Sequence, residues 1–121
     1  MFYTVSELLK ELVYLQYQTE EFLKQCCALI DVRKVDPFTQ NHKTKSTLNE
    51  LGYNVKAMLQ ELKELKFEDY HGGPYPDRDS KYPGPVWIFK KIINGYSIYI
   101  KLKIRVTSRQ ELFVMAFHID V

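Results

Sequence analysis

The sequence has only two cysteines, and they are adjacent, Cys26 and Cys27. Neighbouring cysteines almost never bridge within one chain and match no tetrahedral zinc spacing, so the pair reads as buried thiols rather than a crosslink or a zinc centre. Long apolar runs are missing as well. No stretch approaches the roughly 18 apolar residues of a bilayer span, and Glu7 and Lys10 stand where a signal peptide needs its apolar centre. A soluble, cytoplasmic protein with no membrane partner is the expectation. There is no glycine-rich phosphate loop of the Walker or dinucleotide kind, no HExxH and no serine in a nucleophile elbow. His42, His71 and His118 are too scattered to argue for a metal, so neither a metal nor a cofactor is expected. What is present, 121 residues that are 45% hydrophobic and 26% charged, suits one domain over residues 1–121 that holds a core without staples.

One further absence is informative. The net charge of +2 is bland, yet residues 1–65 carry 8 basic and 9 acidic groups while residues 66–121 carry 9 and 6, so the two parts stand at −1 and +3. Between Ser80 and Gln110 no acid occurs, whereas Lys81, Lys90, Lys91, Lys101, Lys103, Arg105 and Arg109 do. Seven cations with no acid among them in sequence point to a phosphate-rich partner.

Thr4 and Glu7 have the spacing of a capping box, and Leu8, Leu12, Leu15, Phe22, Cys26 and Leu29 follow near helical spacing, which predicts a helix over 5–29 or two with a break near Gln18. Ile30 to Val35 predicts a short edge strand stopped by Asp36-Pro37. A polar connector from Phe38 to Lys45 feeds a second capping box, Thr47 and Glu50, with Gly52 ending a single helical turn; Asn54 caps a helix with the stripe Val55, Met58, Leu59, Leu62 and Leu65. Residues 69–85 pack in three glycines and four prolines and are expected to be an irregular loop, with Asp77, Arg78 and Asp79 a turn held by local salt links. Three strands follow: Val86 to Ile92, the Asn94-Gly95 hairpin signal, the alternating Tyr96 to Val106, and Leu112 to Ile119. Helices followed by an antiparallel meander predict an α+β domain, with N-terminal helices covering one face of the sheet.

The alternating strand carries the chemistry. Tyr96, Ile98, Ile100, Leu102, Ile104 and Val106 are its expected core face; Ser97, Tyr99, Lys101, Lys103 and Arg105 are the opposite face. Side chains two apart on a strand are roughly 7 Å apart, about the phosphate repeat of an RNA strand, so this row suits a single-stranded backbone with Tyr99 stacking or donating. A solvated face with cations that block aggregation is the competing reading of the row alone. His118, placed on the face of Val114 and Ala116, is expected to adjoin Tyr99 and Lys101 and to move a proton at neutral pH. Tyr70 and His71 open the Gly/Pro loop that is free to fold over the sheet, with an anchoring role for Tyr70 equally weighted, and Arg78 is a further candidate backbone contact. Trp87 and Phe89 read as core or partner surface. RNA supplies its own 2′-hydroxyl nucleophile, so basic and aromatic side chains suffice for its cleavage without a cofactor.

The ordered set TLNELGYNVKAMLQELKELKFEDYHGGPYPDRD, VWIFKK, INGYSIYIKLKI and FVMAFHI resembles the MqsR-type (motility quorum-sensing regulator) toxins, ribosome-independent mRNA interferases with a RelE-like fold that belong to type II toxin-antitoxin systems. The likeness covers residues 45–119; residues 1–44 form a divergent helical extension to a toxin-like core at 45–121. The resemblance implies a bacterial or prophage endoribonuclease that cleaves single-stranded mRNA without metal and is neutralised by a cognate antitoxin. It carries over Tyr99 and Lys101 of the YIKL strand as cleft residues, Tyr70 as the loop tyrosine, and His118 at the position of a catalytic lysine. His71 replaces a lysine and Ile88 a glutamine of that pattern. Lys103, Arg105 and Arg78 are additions from the charge pattern. Two other readings remain: a non-catalytic phage-encoded binder that docks the basic face on RNA or an acidic protein, and an assembly protein whose long N-terminal helix pairs with a partner.

Overall fold

The computed structural model describes residues 3–78 and 81–120. Its element order is α1 (Val5–Asp31), β1 (Val35–Asp36), α2 (His42–Leu51), α3 (Val55–Lys63), a single tight helical turn (Phe67–Asp69), β2 (Tyr70–Tyr75), β3 (Val86–Ile93), β4 (Tyr96–Val106) and β5 (Gln110–Ile119). The strands form one sheet in the order β1-β5-β4-β3-β2, an antiparallel meander to which β1 adds a short parallel edge. Helices first and strands last, packed as layers, make an α+β fold.

α1 is continuous, with no break near Gln18. Its capping box is formed as expected: the Thr4 hydroxyl accepts from the Glu7 amide at 3.1 Å and the Glu7 carboxylate accepts from the Thr4 amide. β1 is shorter and later than the pattern predicted, because Arg33 takes a left-handed conformation and Lys34 bonds back to Leu29 before the chain extends. α2 starts five residues before the expected capping box. Asn41 caps it by accepting from the amides of Lys43 and Thr44, which leaves Thr47 buried within the helix, and Gly52 closes it in the left-handed region. α3 begins at its Asn54 cap as predicted.

The expectation that residues 69–85 are wholly irregular is corrected at their start, where Tyr70–Tyr75 pairs with β3 as an edge strand. Glycine and proline are tolerated there because the pairing is broken by register shifts on both sides of Gly72, and an edge strand has no second neighbour to serve. Asn94 and Gly95 both have positive φ, the geometry of the tight turn their sequence announces.

The helices bury one face of the sheet. Phe22, Leu23, Cys26 and Leu29 of α1, Leu48 of α2, and Met58 and Leu62 of α3 pack on Trp87, Phe89, Ile98, Ile100, Leu102, Leu112, Val114 and Phe117. Phe22 stacks on Trp87 with ring centroids 4.9 Å apart, so the tryptophan strand face is core. The predicted core stripe of β4 holds from Ile98 to Ile104; its ends do not, since Tyr96 is half-buried with its hydroxyl on Glu50 and Val106 is exposed. Cys26 is buried, which pushes its thiol pKa up, and Cys27 is half-buried with its thiol on the Lys63 carbonyl. No helix among the described residues is long and apolar enough to cross a membrane.

Candidate nucleic-acid interface

With the helices on one side, the other face of β3, β4 and β5 carries the candidate residues. Register places Lys90 opposite Tyr99 and Tyr99 opposite His118, one row across three strands. In the next row Ile88, Lys101 and Ala116 are opposite one another. The Tyr99 and His118 rings stack, with centroids 5.2 Å apart and planes 25° from parallel. The sequence pairing of His118 with Tyr99 and Lys101 thus holds. Its reasoning needs one correction: β5 carries a bulge opposite Lys101/Leu102, so Val114 falls on the helix face and only Ala116 shares the face of His118.

The end of β5 is held from both sides. The Ile119 amide donates to the Thr47 hydroxyl of α2 at 2.9 Å, and the Asp120 amide donates to the Ser97 carbonyl of β4 at 2.8 Å. His118 Nδ1 lies 3.0 Å from the Ile119 carbonyl oxygen. A carbonyl only accepts, so the neutral imidazole carries its proton on Nδ1 and leaves the Nε2 lone pair free. Lys90 pairs with Asp120 at 2.8 Å. Asp120 has its pKa held below the ordinary carboxylate range, first by the Lys90 hydrogen bond, with smaller help from the charges of Lys90, His118 and His71. Both histidines therefore lie in electrostatic reach of one carboxylate. Beside His118 a cleft of about 350 Å3 opens towards α2, with His42, Lys43 and Ser46 on its other wall.

Tyr70 is not part of this cluster. Its hydroxyl donates to the Gly73 carbonyl, and its ring packs edge-on against Trp87 and Phe89 on the helix side of the sheet. The anchoring role fits it. Arg78 is exposed in the turn after β2. Asp79 lies outside the described residues, and among the described residues Asp77 pairs across the fold with Lys103 at 3.0 Å rather than with its neighbour Arg78.

The cation row is also corrected. Lys103 is 1% exposed, with Nζ bonded to Asp77 and to the Tyr82 carbonyl oxygen at 2.5 Å, so it presents no ammonium to a phosphate. Arg105 is bound between Asp36 (2.8 Å) and Glu111 (2.6 Å) and lies over the rings of Phe113 and Tyr82. Lys91 pairs with Glu61 at 2.9 Å. The segment free of acids in sequence is thus supplied with acids from elsewhere in the fold: Glu61, Asp77, Asp36, Glu111 and Asp120. Lys101 pairs with no acid among the described residues and is the one cation of β4 left available there.

Sequence reasoning missed Lys90 and Asp120 as neighbours of the cluster, and missed the α2 wall. Lys90 was visible only as one of seven cations, and nothing local marks Asp120. No group of three or more histidine, cysteine or acidic side chains among the described residues is placed to hold a metal ion. No family model matches the chain, and neither a curated protein nor a solved structure matches it.

Proposed function

We propose that this protein is a metal-independent endoribonuclease acting on single-stranded RNA through the RNA's own 2′-hydroxyl, with the Tyr99/His118/Lys101 patch as its cleavage centre. The observation that carries this reading is the stacked Tyr99–His118 pair with Lys101, which pairs with no acid among the described residues, in the neighbouring row on the sheet face opposite the helical core. His118 Nε2, the nitrogen not engaged by Ile119, takes the proton of the 2′-hydroxyl. The 2′-oxygen attacks phosphorus in line, Lys101 and the Tyr99 hydroxyl meet the added charge of the phosphorane, and the P–O5′ bond breaks. His71, which lies in electrostatic reach of the same Asp120, donates the proton that the 5′-oxygen leaves with. The products are a 2′,3′-cyclic phosphate and a 5′-hydroxyl, so atoms and protons balance with no further reactant. The cleft between His118 and α2, lined by His42 and Lys43 and also by Asp120, gives room for a neighbouring nucleotide.

In this reading the protein is the toxin of a type II pair, arresting translation by cutting mRNA in the cytoplasm, with a cognate antitoxin covering the patch. The MqsR-type resemblance of residues 45–119 supports it, as does the retention of Tyr99 and Lys101. The test is incubation of the pure protein with a labelled single-stranded RNA in excess chelator, scored for fragments ending in 2′,3′-cyclic phosphate. Fragments that disappear with His118→Ala support the proposal; intact RNA under all conditions ends it.

The locked state of Lys103 and Arg105 favours a second reading, a non-catalytic binder with few cations to spare. Retention of RNA without turnover, weakening with salt by a slope equal to only two or so phosphate contacts, is its signature.

A further inference from the structure

α1 has two halves of unlike environment. Val5, Leu8, Leu12, Leu15, Thr19, Phe22, Cys26 and Leu29 follow one another in strict alternating steps of three and four, the seam of a heptad helix. From Thr19 onwards the domain buries that seam: Thr19 is 0% and Cys26 1% exposed. Before it the seam is bare at Val5, Leu8 and Leu12, with Val5 74% and Leu12 51% exposed, and half-buried at Leu15. Leu9 widens it to one flank, while Val13, Tyr14 and Tyr17 lie away from it round the helix. Eight of the twelve large apolar side chains exposed among the described residues belong to residues 3–17.

We infer that this arm pairs antiparallel with the arm of a second copy of the same chain. Area is the first argument. Val5, Leu8, Leu9 and Leu12, each at half exposure or more, and half-buried Leu15 offer on the order of 500 Å2 per side, about 1,000 Å2 over the pair, which is the least that a specific interface needs. Geometry is the second. An antiparallel register that sets Val5 against the partner's Leu15 also sets Leu8 against the partner's Leu12, so the three bare seam positions and half-buried Leu15 all meet seam positions, and the next one, Thr19, is where the domain takes over. The two bare stretches have equal length and fill one another under a twofold axis. A parallel pair fails on the same ground: from Thr19 on the seam faces each chain's own domain, so the two domains compete for one space. The charges of the arm, Glu7, Lys10 and Glu11, lie off the seam.

The test is the mass of the full-length protein in sedimentation at about 50 µM, with Leu8→Glu/Leu12→Glu as the breaking variant. The expected result is twice the 14.4 kDa of one chain for the natural sequence and a single-chain mass for the variant. A monomeric natural protein overturns the inference and leaves the arm to a chain of different sequence or a lipid surface; a dimer indifferent to the two glutamates overturns it by placing the interface elsewhere. Orientation is read independently of arm stability by oxidative crosslinking. Val5→Cys mixed with Leu15→Cys is expected to yield a mixed disulfide, and Val5→Cys alone none, since two copies of position 5 are ten residues, about 15 Å, apart in the antiparallel pair. Efficient linking of Val5→Cys to itself overturns the antiparallel arrangement.

Discussion

The two ends of the bare face of β4 are built from the same alternation and nearly the same residues, and they have opposite fates. At one end Tyr99 and Lys101 lie beside His118 with no acid among the described residues on Lys101. At the other, Lys103 and Arg105 are consumed by Asp77, Asp36 and Glu111, and residues Asp77 and Tyr82 of the loop fold over Lys103. A run of cations on a strand is thus no measure of positive surface. What decides is whether a neighbouring segment brings an acid and excludes water, because a buried lysine is stable only when paired and hydrogen-bonded.

The largest expected effect breaks the open end. His118→Ala is expected to slow RNA cleavage by about 10²- to 10⁴-fold, the usual weight of a general base, with the far-UV circular dichroism unchanged because the side chain is only half-buried. The next breaks the locked end. Asp77→Asn takes the Asp77 carboxylate from the buried Lys103 ammonium and is expected to cost up to about 3 kcal/mol in urea denaturation, while cleavage by the folded fraction is retained; Lys103→Met in the same background is expected to recover most of the loss. A smaller effect reaches the same end through the backbone. Gly84 has φ +136° and a Cβ there would lie 2.6 Å from the Ile104 carbonyl oxygen, so Gly84→Ala is expected to lift the loop from β4 at about 1–3 kcal/mol, read in the same denaturation series.

The smallest effect sharpens the contrast through pH. Burial alone would raise the Glu61 carboxyl, but hydrogen bonds from Tyr53 and Lys91 and the Lys91 charge outweigh it, and its pKa is held below the ordinary value. A lowered folded pKa contributes stability that is present above the unfolded carboxylate value, about 4.3, and lost as pH falls through the folded value. Thermal midpoints taken between about pH 6 and pH 3 are therefore expected to fall, and to fall less in Glu61→Gln.

Much of this was legible in the sequence, and the pattern of what was not is physical. Elements declared by local signals came through: the Thr4/Glu7 box, the Asn54 cap, the Asn94-Gly95 turn and the β4 alternation are all set by residues within a few positions of one another. The pairing of Tyr99 with His118 followed from strand order alone. Features decided by long-range contact did not come through. Asp77 is 26 residues from Lys103 and Asp36 is 69 from Arg105, so no short window of sequence shows those acids on those cations; Glu111, six residues from Arg105, lies just past the stretch that holds no acid. The β5 bulge that turns Val114 inward, and the choice of Asn41 over Thr47 as the α2 cap, depend on α2 lying along β5, where Asn41 reaches the Met115 carbonyl and Thr47 the Ile119 amide. Tyr70 was ambiguous between anchor and site because a Gly/Pro segment gives no periodicity from which to read its face.

The most direct measurement is single-turnover cleavage of a labelled single-stranded RNA in excess chelator by Lys101→Ala and Arg105→Ala, side by side, at a temperature where both are folded. These are two cations on one face of one strand, four residues apart. Lys101→Ala is expected to lose more than about tenfold, and Arg105→Ala to keep a rate within about twofold of the natural protein. Equal losses, or the larger loss at Arg105, would contradict the contrast between the two ends.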